Sequence, residues 1–417
     1  MKNRKYLKVI GNKIANGIIK ASGSKNAALP IIAASLFLEG EVILNNVPDI
    51  LDVRKMLDIL TYLNVKYSYE NNKLIINAKD LEYKDLNIKE VSSLRASYYL
   101  IPILLNENSS LEFINVGGCN FEKRPIDIHL ELIKKVGGKI REIDNGYLIK
   151  VNTFSSLEHS FKNKSVGATI NAILIGLKTK KKVKITNYAL DPEIMDFITF
   201  LQRAGLLLEM DDNSITFQRK TPLKGIEYTI MPDRIEAETY ALIGLGLGRV
   251  GIFDFIKEHH EAFLLFLNEN NVVYSLEDNF LLINKEEIKK SNILILDHFP
   301  SLSTDIGPIL LTYLLGQDKM FVIKDNVYHS RLSKLRFFNS CFSFQFDSLL
   351  VNPRNVEKRN NTFYGSNLRD TMAYLYFALT HEGEYYIYGY EHLIRGYENI
   401  IDKLISLDLI VEIEDED

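Results

Sequence analysis

The chain repeats one order of predicted elements six times, and this repeat restricts the possible folds more than any other feature. Each copy begins with a polar residue and an apolar helix, then continues with a strand, a second helix and two strands joined by a turn. The six starting residues carry side-chain oxygens that cap helix N-termini well: Ser24, Ser93, Ser165, Asp233, Ser303 and Asn367. A repeat longer than those of solenoids predicts modules that share buried cores.

The two helices of each module differ in character. The first is apolar on nearly all sides, as in residues 27–38, 168–177 and 371–379, and a helix of this kind is expected to be buried. The second is amphipathic, with apolar residues at three-to-four spacing in residues 52–60 and 397–404. The closing pair of strands is clearest where Asp144-Asn145-Gly146 separates two strand-like runs.

Six buried helices with six sets of strands need two cores, so three modules in each of two domains is the natural division. We predict an α/β fold with one domain at residues 22–232 and a second made of residues 1–21 and 233–417. Two strand-like runs, at residues 6–10 and 17–20, precede the first module. They are expected to complete the second domain, so that the chain crosses between the domains twice.

Charge and cysteine content exclude several classes of protein. Fifty basic and fifty-four acidic residues give a net charge of -4, which argues against non-specific nucleic-acid binding. Two cysteines in 417 residues make no disulfide framework and fit a reducing compartment. The apolar runs are too short to cross a bilayer and no signal peptide is visible. We therefore expect a soluble cytoplasmic protein with no membrane partner, and the sparse His and Cys residues predict no metal site.

Charged residues recur at one position of the module. Lys25, Arg95, Asp305 and Arg369 occupy matching positions at the starts of first helices, and Arg124, Arg331 and Arg395 lie at or near the starts of second helices. Helix N-termini attract anions, and arginine and lysine side chains there would strengthen the attraction. The aligned set predicts a cleft for phosphate and carboxylate groups. The alternative is that each arginine is a separate solvated residue.

A cysteine stands between a strand-like run and the second helix of the second module. Gly117 and Gly118 precede Cys119, and Arg124 follows it. Nearby cations favour the thiolate form of a cysteine. This pattern indicates a loop that carries a reactive thiol, although a lone intracellular cysteine is also a common packing residue.

Nine short motifs, spread over nearly the whole chain, occur in a characteristic combination: residues 22–30, 47–53, 94–97, 117–119 with 124–129, 165–169, 191–194, 231–236, 304–305 and 395–398. This combination resembles the UDP-N-acetylglucosamine enolpyruvyl transferase (MurA) family. The resemblance implies two inside-out, barrel-like α/β domains of three modules each.

The resemblance also implies an activity. The family transfers the enolpyruvyl group of phosphoenolpyruvate to the 3-hydroxyl of UDP-N-acetylglucosamine and releases phosphate, as the first committed step toward the peptidoglycan precursor. The implied partners are these two small-molecule substrates, without a cofactor, and the implied assembly is a monomer or a weak homo-oligomer.

Family roles transfer to this sequence residue by residue. The resemblance implies catalytic roles for Cys119, Asp305, Lys25 and Arg395, with Asp305 at the attacking sugar hydroxyl and Cys119 as the residue that adds to phosphoenolpyruvate and reacts with fosfomycin. The implied phosphoenolpyruvate contacts are Lys25, Asn26, Arg124, Arg331, Arg369 and Arg395. The implied nucleotide-sugar contacts are Arg95, Arg124, Pro125, Ile126, Asp127, Ile128, Asn163, Lys164, Ser165, Val166, Asp305 and Val327.

Three positions depart from the family pattern. His329 stands where a glutamate is usual, Asn367 where an aspartate is usual, and Asn163 where a lysine is usual.

Two other functions are compatible with the sequence. A shikimate-type enolpyruvyl transferase shares the fold, although Cys119 and the Ser-Val-Gly-Ala-Thr run at residues 165–169 speak against it. A catalytically idle relative that binds the nucleotide sugar is the second.

Overall fold

The computed structural model describes residues 5–115, 126–288, 293–317, 319–328, 331–345, 348–353 and 361–416. These residues pack into two compact units. The inserted unit comprises residues 23–115 and 126–231, and the split unit comprises residues 5–22 and 232–416. The split unit is therefore built from both ends of the chain. That the two units are domains in the sense of the sequence analysis stays a prediction.

The elements follow one another in the order that the repeat implies. The first stretch of the split unit forms β1 (Lys5–Ile10) and β2 (Ala15–Lys20). The inserted unit contains helices α1 (Lys25–Ser35), α2 (Leu51–Tyr62), α3 (Lys89–Ser93), α4 (Leu100–Leu104), α5 (Asp127–Lys135), α6 (Val166–Thr179) and α7 (Pro192–Arg203). Its strands are β3 (Leu38–Glu39), β4 (Glu41–Asn45), β5 (Lys66–Glu70), β6 (Lys73–Asn77), β7 (Ser109–Ile114), β8 (Gly138–Ile143), β9 (Gly146–Val151), β10 (Leu157–Ser160), β11 (Val183–Thr186), β12 (Leu208–Met210), β13 (Ser214–Phe217), β14 (Leu223–Lys224) and β15 (Glu227–Thr229).

The second stretch of the split unit continues the same alternation. Its helices are α8 (Arg234–Leu247), α9 (Glu261–Glu269), α10 (Gly307–Leu315), α11 (Leu368–Thr380) and α12 (Ile400–Ile405). Its strands are β16 (Gly248–Phe253), β17 (Tyr274–Glu277), β18 (Phe280–Ile283), β19 (Ile293–Leu296), β20 (Phe321–Asp325), β21 (Phe342–Gln345), β22 (Ser348–Val351), β23 (Thr362–Tyr364), β24 (Glu384–Tyr388) and β25 (Ile410–Asp415). None of the helices in the described part of the chain has the length and apolar character needed to cross a membrane.

One four-stranded pattern recurs in both units. In each of five sheets, the first two strands are parallel and the other neighbouring pairs are antiparallel. These sheets are β15-β4-β6-β5, β10-β11-β13-β12, β2-β16-β18-β17, β19-β20-β22-β21 and β23-β24-β1-β25. The corresponding sheet of the second module, β7-β9-β8, has three strands. Its parallel neighbour is reduced to a single bridge, between Leu86 and Phe113 of β7. The predicted six-module repeat is confirmed with two exceptions in the described residues: the second helix of the fifth module is replaced by 3-10 helices, and in the sixth module β25 pairs with β1 instead of with a following strand.

In each unit, strands from the end of its sequence pair with strands from its beginning. In the inserted unit, β15 pairs in parallel with β4, Glu227 opposite Ile43. In the split unit, β2 pairs in parallel with β16, and β1 lies between β24 and β25, antiparallel to both. The two strand-like runs that precede the first module therefore complete sheets of the split unit, as expected.

The first helices form the core of each unit. Every residue of α1 from Ala27 to Ser35 is buried, and so is every residue of α10. The strands around them alternate buried and exposed residues, as in β4, so each sheet covers the helices with one face and meets solvent with the other. Fully burying one Leu or Ile side chain contributes about 1.5–3 kcal/mol, so these helices contribute strongly to stability.

Four of the six predicted N-caps are confirmed. Ser24 and Ser165 each accept a hydrogen bond through Oγ from the backbone N–H three residues later, at 3.4 Å. Asp233 accepts two backbone N–H bonds, at 2.9 and 3.0 Å. Asn367 caps α11 in a reciprocal arrangement with Asp370. These bonds satisfy N–H groups that would otherwise be left unpaired at a buried helix start.

The other two predicted N-caps are wrong. At Ser93 a short helix ends, and a 3-10 helix over Arg95–Tyr99 precedes α4. The 3-10 helix, which starts after Leu94 without a side-chain cap, runs directly into α4. At Ser303 the chain first makes a turn, in which Ser303 Oγ accepts from the backbone N–H of Asp305 at 3.1 Å. Helix α10 starts only at Gly307, with Pro308 in its first turn.

A buried ion pair ties the start of the split unit to two of its helices. Lys403 Nζ of α12 donates to Glu236 Oε1 of α8 and to Ser22 Oγ, both at 2.7 Å. Glu236 Oε2 accepts from the backbone N–H of Ser22 at 2.6 Å. Burial raises the pKa of Glu236, and Lys403 opposes that shift by stabilising the carboxylate. The chain is thus fixed where it leaves the unit at Ser22.

We expect Lys403→Met to lower the free energy of unfolding by about 3 kcal/mol, because it leaves Glu236 buried without its cation. Urea unfolding at pH 7 measures the change. Lys5→Met is the matched control, since Lys5 forms only an exposed pair with Asp415 at 4.0 Å and should cost less than about 1 kcal/mol. Equal effects of the two substitutions would contradict this account.

Candidate active site

A carboxylate held between two arginines is the centre of the charged cluster in the split unit. Asp305 Oδ1 accepts from Arg331 Nη1 at 2.7 Å, and Asp305 Oδ2 accepts from Arg369 Nη2 at 2.7 Å. Both arginine side chains are largely buried, whereas a quarter of the Asp305 side chain is exposed. We call Asp305, Arg331 and Arg369 the Asp305 clamp. Three of the sequence-predicted site residues are therefore in direct contact.

The charge of Arg369 depends on this contact. Burial alone would lower its pKa, but the neighbouring carboxylate of Asp305 favours the guanidinium, and the net pKa of Arg369 is raised. By the same attraction, two guanidinium groups favour the ionised form of the carboxylate between them. The clamp thus holds two positive charges and one negative charge in a largely buried place, with its carboxylate accessible from one side.

The turn before α10 is fixed by the end of β20. Thr304 Oγ1 donates to Asp325 Oδ2 at 2.6 Å and accepts from Arg331 Nη1 at 3.1 Å. The other oxygen of Asp325 accepts the backbone N–H groups of Val327 and Tyr328, at 3.0 and 2.8 Å. This network positions Asp305 and the predicted nucleotide-sugar residue Val327 relative to each other. Asp325 was not singled out in the sequence, because its side-chain partner Thr304 lies 21 residues away along the chain.

Asn367 performs the capping role expected of the aspartate that is usual at this position. Its Oδ1 accepts from the backbone N–H of Arg369 at 3.0 Å, and its Nδ2 donates to Asp370 Oδ2 at 2.7 Å. A carboxylate at position 367 has no N–H to donate, and its negative charge would be repelled by that of Asp370. The departure from the family pattern therefore keeps the first turn of α11, where Arg369 lies, in place.

Arg331 and Arg395, which were expected at or near the starts of second helices, lie at the ends of 3-10 helices. Arg331 precedes a 3-10 helix, Leu332–Lys334, and Arg395 is the last residue of another, Tyr390–Arg395. Helix α12 begins only at Ile400, because Asn399 adopts a left-handed conformation with φ 48° that interrupts the helix. Arg395 is half-buried.

In the inserted unit, Lys25 is the first residue of α1, followed by Asn26. Its Nζ lies 3.5 Å from Asp52 Oδ2 in the first turn of α2, and both side chains are largely buried. The starts of two helices thus meet through one ion pair. Sequence periodicity gave no reason to select Asp52, whose role depends on a tertiary contact.

A second polar cluster of the inserted unit joins three helix starts. The guanidinium of Arg95 lies 5.7 Å from the ring centre of Tyr98, and the centre of that ring lies 4.2 Å from the ring centre of His129 of α5, with the two planes tilted by 36°. Asn171 of α6 donates to His129 Nδ1 at 3.0 Å, so the proton of the imidazole is on Nε2. Gly167 allows this packing, since a Cβ there would lie 2.3 Å from the hydroxyl of Tyr98.

The remaining predicted nucleotide-sugar residues lie at the starts of the same helices. Ile126 is buried at the start of α5, whereas Asp127 and Ile128 are exposed. Before α6, Asn163 is exposed, and Lys164, Ser165 and Val166 are half-buried. Cys119, Arg124, Pro125 and His329 lie outside the described residues.

His129 is a neutral group within this cluster. Burial, together with the charge of Arg95, lowers its pKa from 6.5 to about 3. Tyr98 and His129 were not selected in the sequence, although His129 ends the motif at residues 124–129. Within the described ranges, no three His, Cys, Asp or Glu side chains are grouped so as to hold a metal ion.

Comparison with known proteins assigns the chain to a family. A model of the family described as EPSP synthase (3-phosphoshikimate 1-carboxyvinyltransferase) matches residues 10–291. The UDP-N-acetylglucosamine 1-carboxyvinyltransferase of Kosmotoga olearia is 32% identical over 417 residues, which cover 98% of this chain and 99% of that protein. UDP-N-acetylglucosamine 1-carboxyvinyltransferase 2 of Listeria monocytogenes is 31% identical, with 95% of each chain covered. The chain belongs to the UDP-N-acetylglucosamine 1-carboxyvinyltransferase family of enolpyruvyl transferases.

Solved structures show that the enolpyruvyl transferase fold is present. The enolpyruvyl transferase NikO from Streptomyces tendae matches with a TM-score of 0.88 at 18% identity, with 99% of each chain covered. EPSP synthase from Acinetobacter baumannii matches with a TM-score of 0.75 at 14% identity, with 99% of this chain and 100% of that chain covered. The predicted fold class, an inside-out α/β architecture of repeated modules, is confirmed.

The buried His129 of this enolpyruvyl transferase predicts a pH dependence of stability. Its folded-state pKa of about 3 lies below its unfolded value of 6.5, so the unfolded chain takes up a proton first as pH falls. Stability is therefore complete above pH 6.5 and declines as the pH falls toward 3. Between pH 7 and pH 4.5, we expect the wild type to lose about 2 kcal/mol more than His129→Gln. Urea unfolding at both pH values measures this, and an identical loss in both proteins would contradict it.

Proposed function

We propose that this protein transfers the enolpyruvyl group of phosphoenolpyruvate to the 3-hydroxyl of UDP-N-acetylglucosamine and releases phosphate. The single observation that carries the proposal is the Asp305 clamp, in a chain with relatives of that name over nearly its full length. A carboxylate next to two cations supplies a proton acceptor for a hydroxyl together with charge for an anionic substrate. The reaction requires both.

The addition step needs one proton acceptor and one proton donor. The 3-oxygen of the sugar bonds to the central carbon of phosphoenolpyruvate while its proton passes to Asp305, and the methylene carbon takes up a proton from an acid of the loop that carries Cys119. The resulting tetrahedral intermediate keeps its phosphate and carboxylate. The carbon–oxygen bond to phosphate then breaks, the new methyl group loses a proton, and the enol ether is restored. Fixed cations stabilise the negative charge throughout.

Asp305 suits the role of proton acceptor. The two guanidinium groups that contact it favour its ionised form. A quarter of its side chain is exposed, so a hydroxyl has access. The proposed catalytic partners of Asp305 are Lys25, Arg395 and Cys119, with Cys119 as the loop thiol that adds to phosphoenolpyruvate.

The other site residues divide between the two substrates. We propose that phosphoenolpyruvate, which carries a phosphate and a carboxylate, is bound by Lys25, Asn26, Arg124, Arg331, Arg369 and Arg395. The proposed contacts to UDP-N-acetylglucosamine are Arg95, Arg124, Pro125, Ile126, Asp127, Ile128, Asn163, Lys164, Ser165, Val166, Asp305 and Val327. Arginine provides paired donors that match phosphate and carboxylate oxygens.

The cellular setting follows from the same proposal. We place the protein in the cytoplasm, because its two cysteines in 417 residues fit a reducing compartment. It acts there on small molecules without a cofactor, as a monomer or a weak homo-oligomer.

A second candidate function is enolpyruvyl transfer to shikimate-3-phosphate. One observation favours it, namely the match of residues 10–291 to the family model described as EPSP synthase. The relatives that are 31–32% identical carry the other name, and they cover 95–98% of this chain. The nucleotide sugar is therefore the better-supported acceptor.

The decisive experiment measures phosphate release from phosphoenolpyruvate with each acceptor. We expect multiple turnovers with UDP-N-acetylglucosamine and at least a hundredfold lower kcat/KM with shikimate-3-phosphate, because a site built for one acceptor leaves polar groups unpaired with another. The reverse preference would establish the second candidate. No release with either acceptor, combined with retained binding of the nucleotide sugar, would identify an idle relative.

Replacing Asp305 separates chemistry from binding. We expect Asp305→Asn to lower kcat about a thousandfold, since a positioned base contributes about 100- to 10,000-fold. Binding of UDP-N-acetylglucosamine, measured by titration calorimetry, should change less than fivefold. Asp278→Asn, in an exposed turn of the same unit, is the control and should keep full activity. Retained turnover in Asp305→Asn would remove this residue from the mechanism.

A further inference from the structure

Two buried hydroxyl groups continue the Asp305 clamp into the core of the split unit. Arg369 Nη1 donates to the hydroxyl of Tyr397 at 3.3 Å, and that hydroxyl lies 3.0 Å from Thr239 Oγ1. Thr239 Oγ1 in turn donates to the backbone carbonyl of Ile235 at 2.8 Å. Tyr397 and Thr239 are 158 residues apart in the chain, and the proposed function assigns neither of them a role.

The direction of these hydrogen bonds is determined by the donors that are available. A threonine hydroxyl has one hydrogen, and that of Thr239 goes to Ile235. The hydroxyl of Tyr397 must therefore donate to Thr239, which leaves its oxygen free to accept from Arg369. Burial raises the pKa of Tyr397, so the phenol stays protonated and keeps this direction at neutral pH.

Arg369 uses its two terminal nitrogens for different purposes. Nη2 holds Asp305 at 2.7 Å, and Nη1 meets Tyr397. The guanidinium group is planar and rigid, so a bond that fixes one nitrogen also fixes the direction of the other. The hydroxyls of Tyr397 and Thr239 thus determine where Arg369 presents its charge to the proposed base.

We propose that Tyr397 and Thr239 are positioning residues for enolpyruvyl transfer, which hold Arg369 on Asp305 and so keep the carboxylate ionised and aimed. This inference rests on the proposed function, because it assigns Asp305 the role of base. The alternative is that the hydroxyls merely satisfy one another in the core. The same unit shows how a buried phenol is satisfied without such a chain, since Tyr376 donates directly to the carbonyl of Leu242 at 3.0 Å.

The first test compares Tyr397→Phe with Tyr376→Phe, since each substitution removes one buried phenolic hydroxyl from the same unit. We expect Tyr397→Phe to lower kcat about tenfold with KM for the nucleotide sugar within twofold, because a misdirected cation costs transition-state stabilisation. The acid limb of its pH–rate profile should move up by about half to one pH unit, since a weaker ion pair favours the protonated carboxylate. Tyr376→Phe should retain the wild-type rate and profile.

The second test uses the other hydroxyl. Thr239→Val should reproduce the loss in rate, and Thr239→Ser, which keeps the hydroxyl, should restore it. The matched control is Thr312→Val, because Thr312 is also buried in a helix and also donates to the carbonyl four residues earlier, at 2.9 Å. This pair keeps the inference open to test if Tyr397→Phe fails to fold.

Two further measurements separate this inference from the proposed function. In an Arg369→Ala background, Tyr397→Phe should change kcat less than twofold, because its effect passes through Arg369. A crystal structure of Tyr397→Phe should show the Arg369–Asp305 bond lengthened or lost, whatever the enzyme's acceptor. Additive rate effects, an unshifted pH profile, or an unchanged bond from Arg369 to Asp305 would each overturn the positioning role. Failure of the wild type to transfer the enolpyruvyl group would refute the proposed function. The crystal structure of Tyr397→Phe would still show whether Tyr397 holds Arg369 on Asp305.

Discussion

The structure depends on helices that are buried along their whole length. A helix buried on every side leaves its first N–H groups without water, so they must be paired by side chains or turns. The chain meets this need with oxygen-bearing residues at the helix starts, among them Ser24, Ser165 and Asn367. Polar and charged side chains therefore gather at the ends of an otherwise apolar core. Lys25 and Arg369 follow directly from such caps, which is why the candidate catalytic groups lie at helix starts.

Charges placed at the edge of a core need partners, and those partners define the site. Lys25 is balanced by Asp52 in the inserted unit, and Arg331 and Arg369 are balanced by Asp305 in the split unit. Removing one member of a buried pair costs more than the pair contributes, because the remaining charge stays desolvated. A substrate with a phosphate and a carboxylate can replace part of this internal balance. The cations that are neutralised by carboxylates in the free protein are thus already in position to bind an anionic ligand.

The sequence predicted what depends on local pattern and missed what depends on distant contacts. Apolar periodicity identified the modules and their buried helices, because buried helix positions are occupied by apolar residues. Two caps were misplaced, at Ser93 and Ser303, because the chain makes a 3-10 helix or a turn after these residues and the α-helices start only several residues later. Asp52 and Tyr397 lie in the motifs at residues 47–53 and 395–398 but were not selected, since only their tertiary contacts with Lys25 and Arg369 show what they do. Recognition of Asp305, by contrast, came from its register with the arginines and from the family motif.

Sequence and fold carry different information about function in this family. Solved relatives with 14–18% identity keep the architecture, because the modules require only apolar helices and alternating strands. Chemistry must then be read from the few side chains at the helix starts. Asn367 shows how one of them can change without loss of the site. Its amide caps α11 as a carboxylate would and donates to Asp370, so the first turn keeps its shape while one negative charge is removed. Arg369, two residues later, pairs with Asp305, and the carboxylate of Asp233 also favours its charged form.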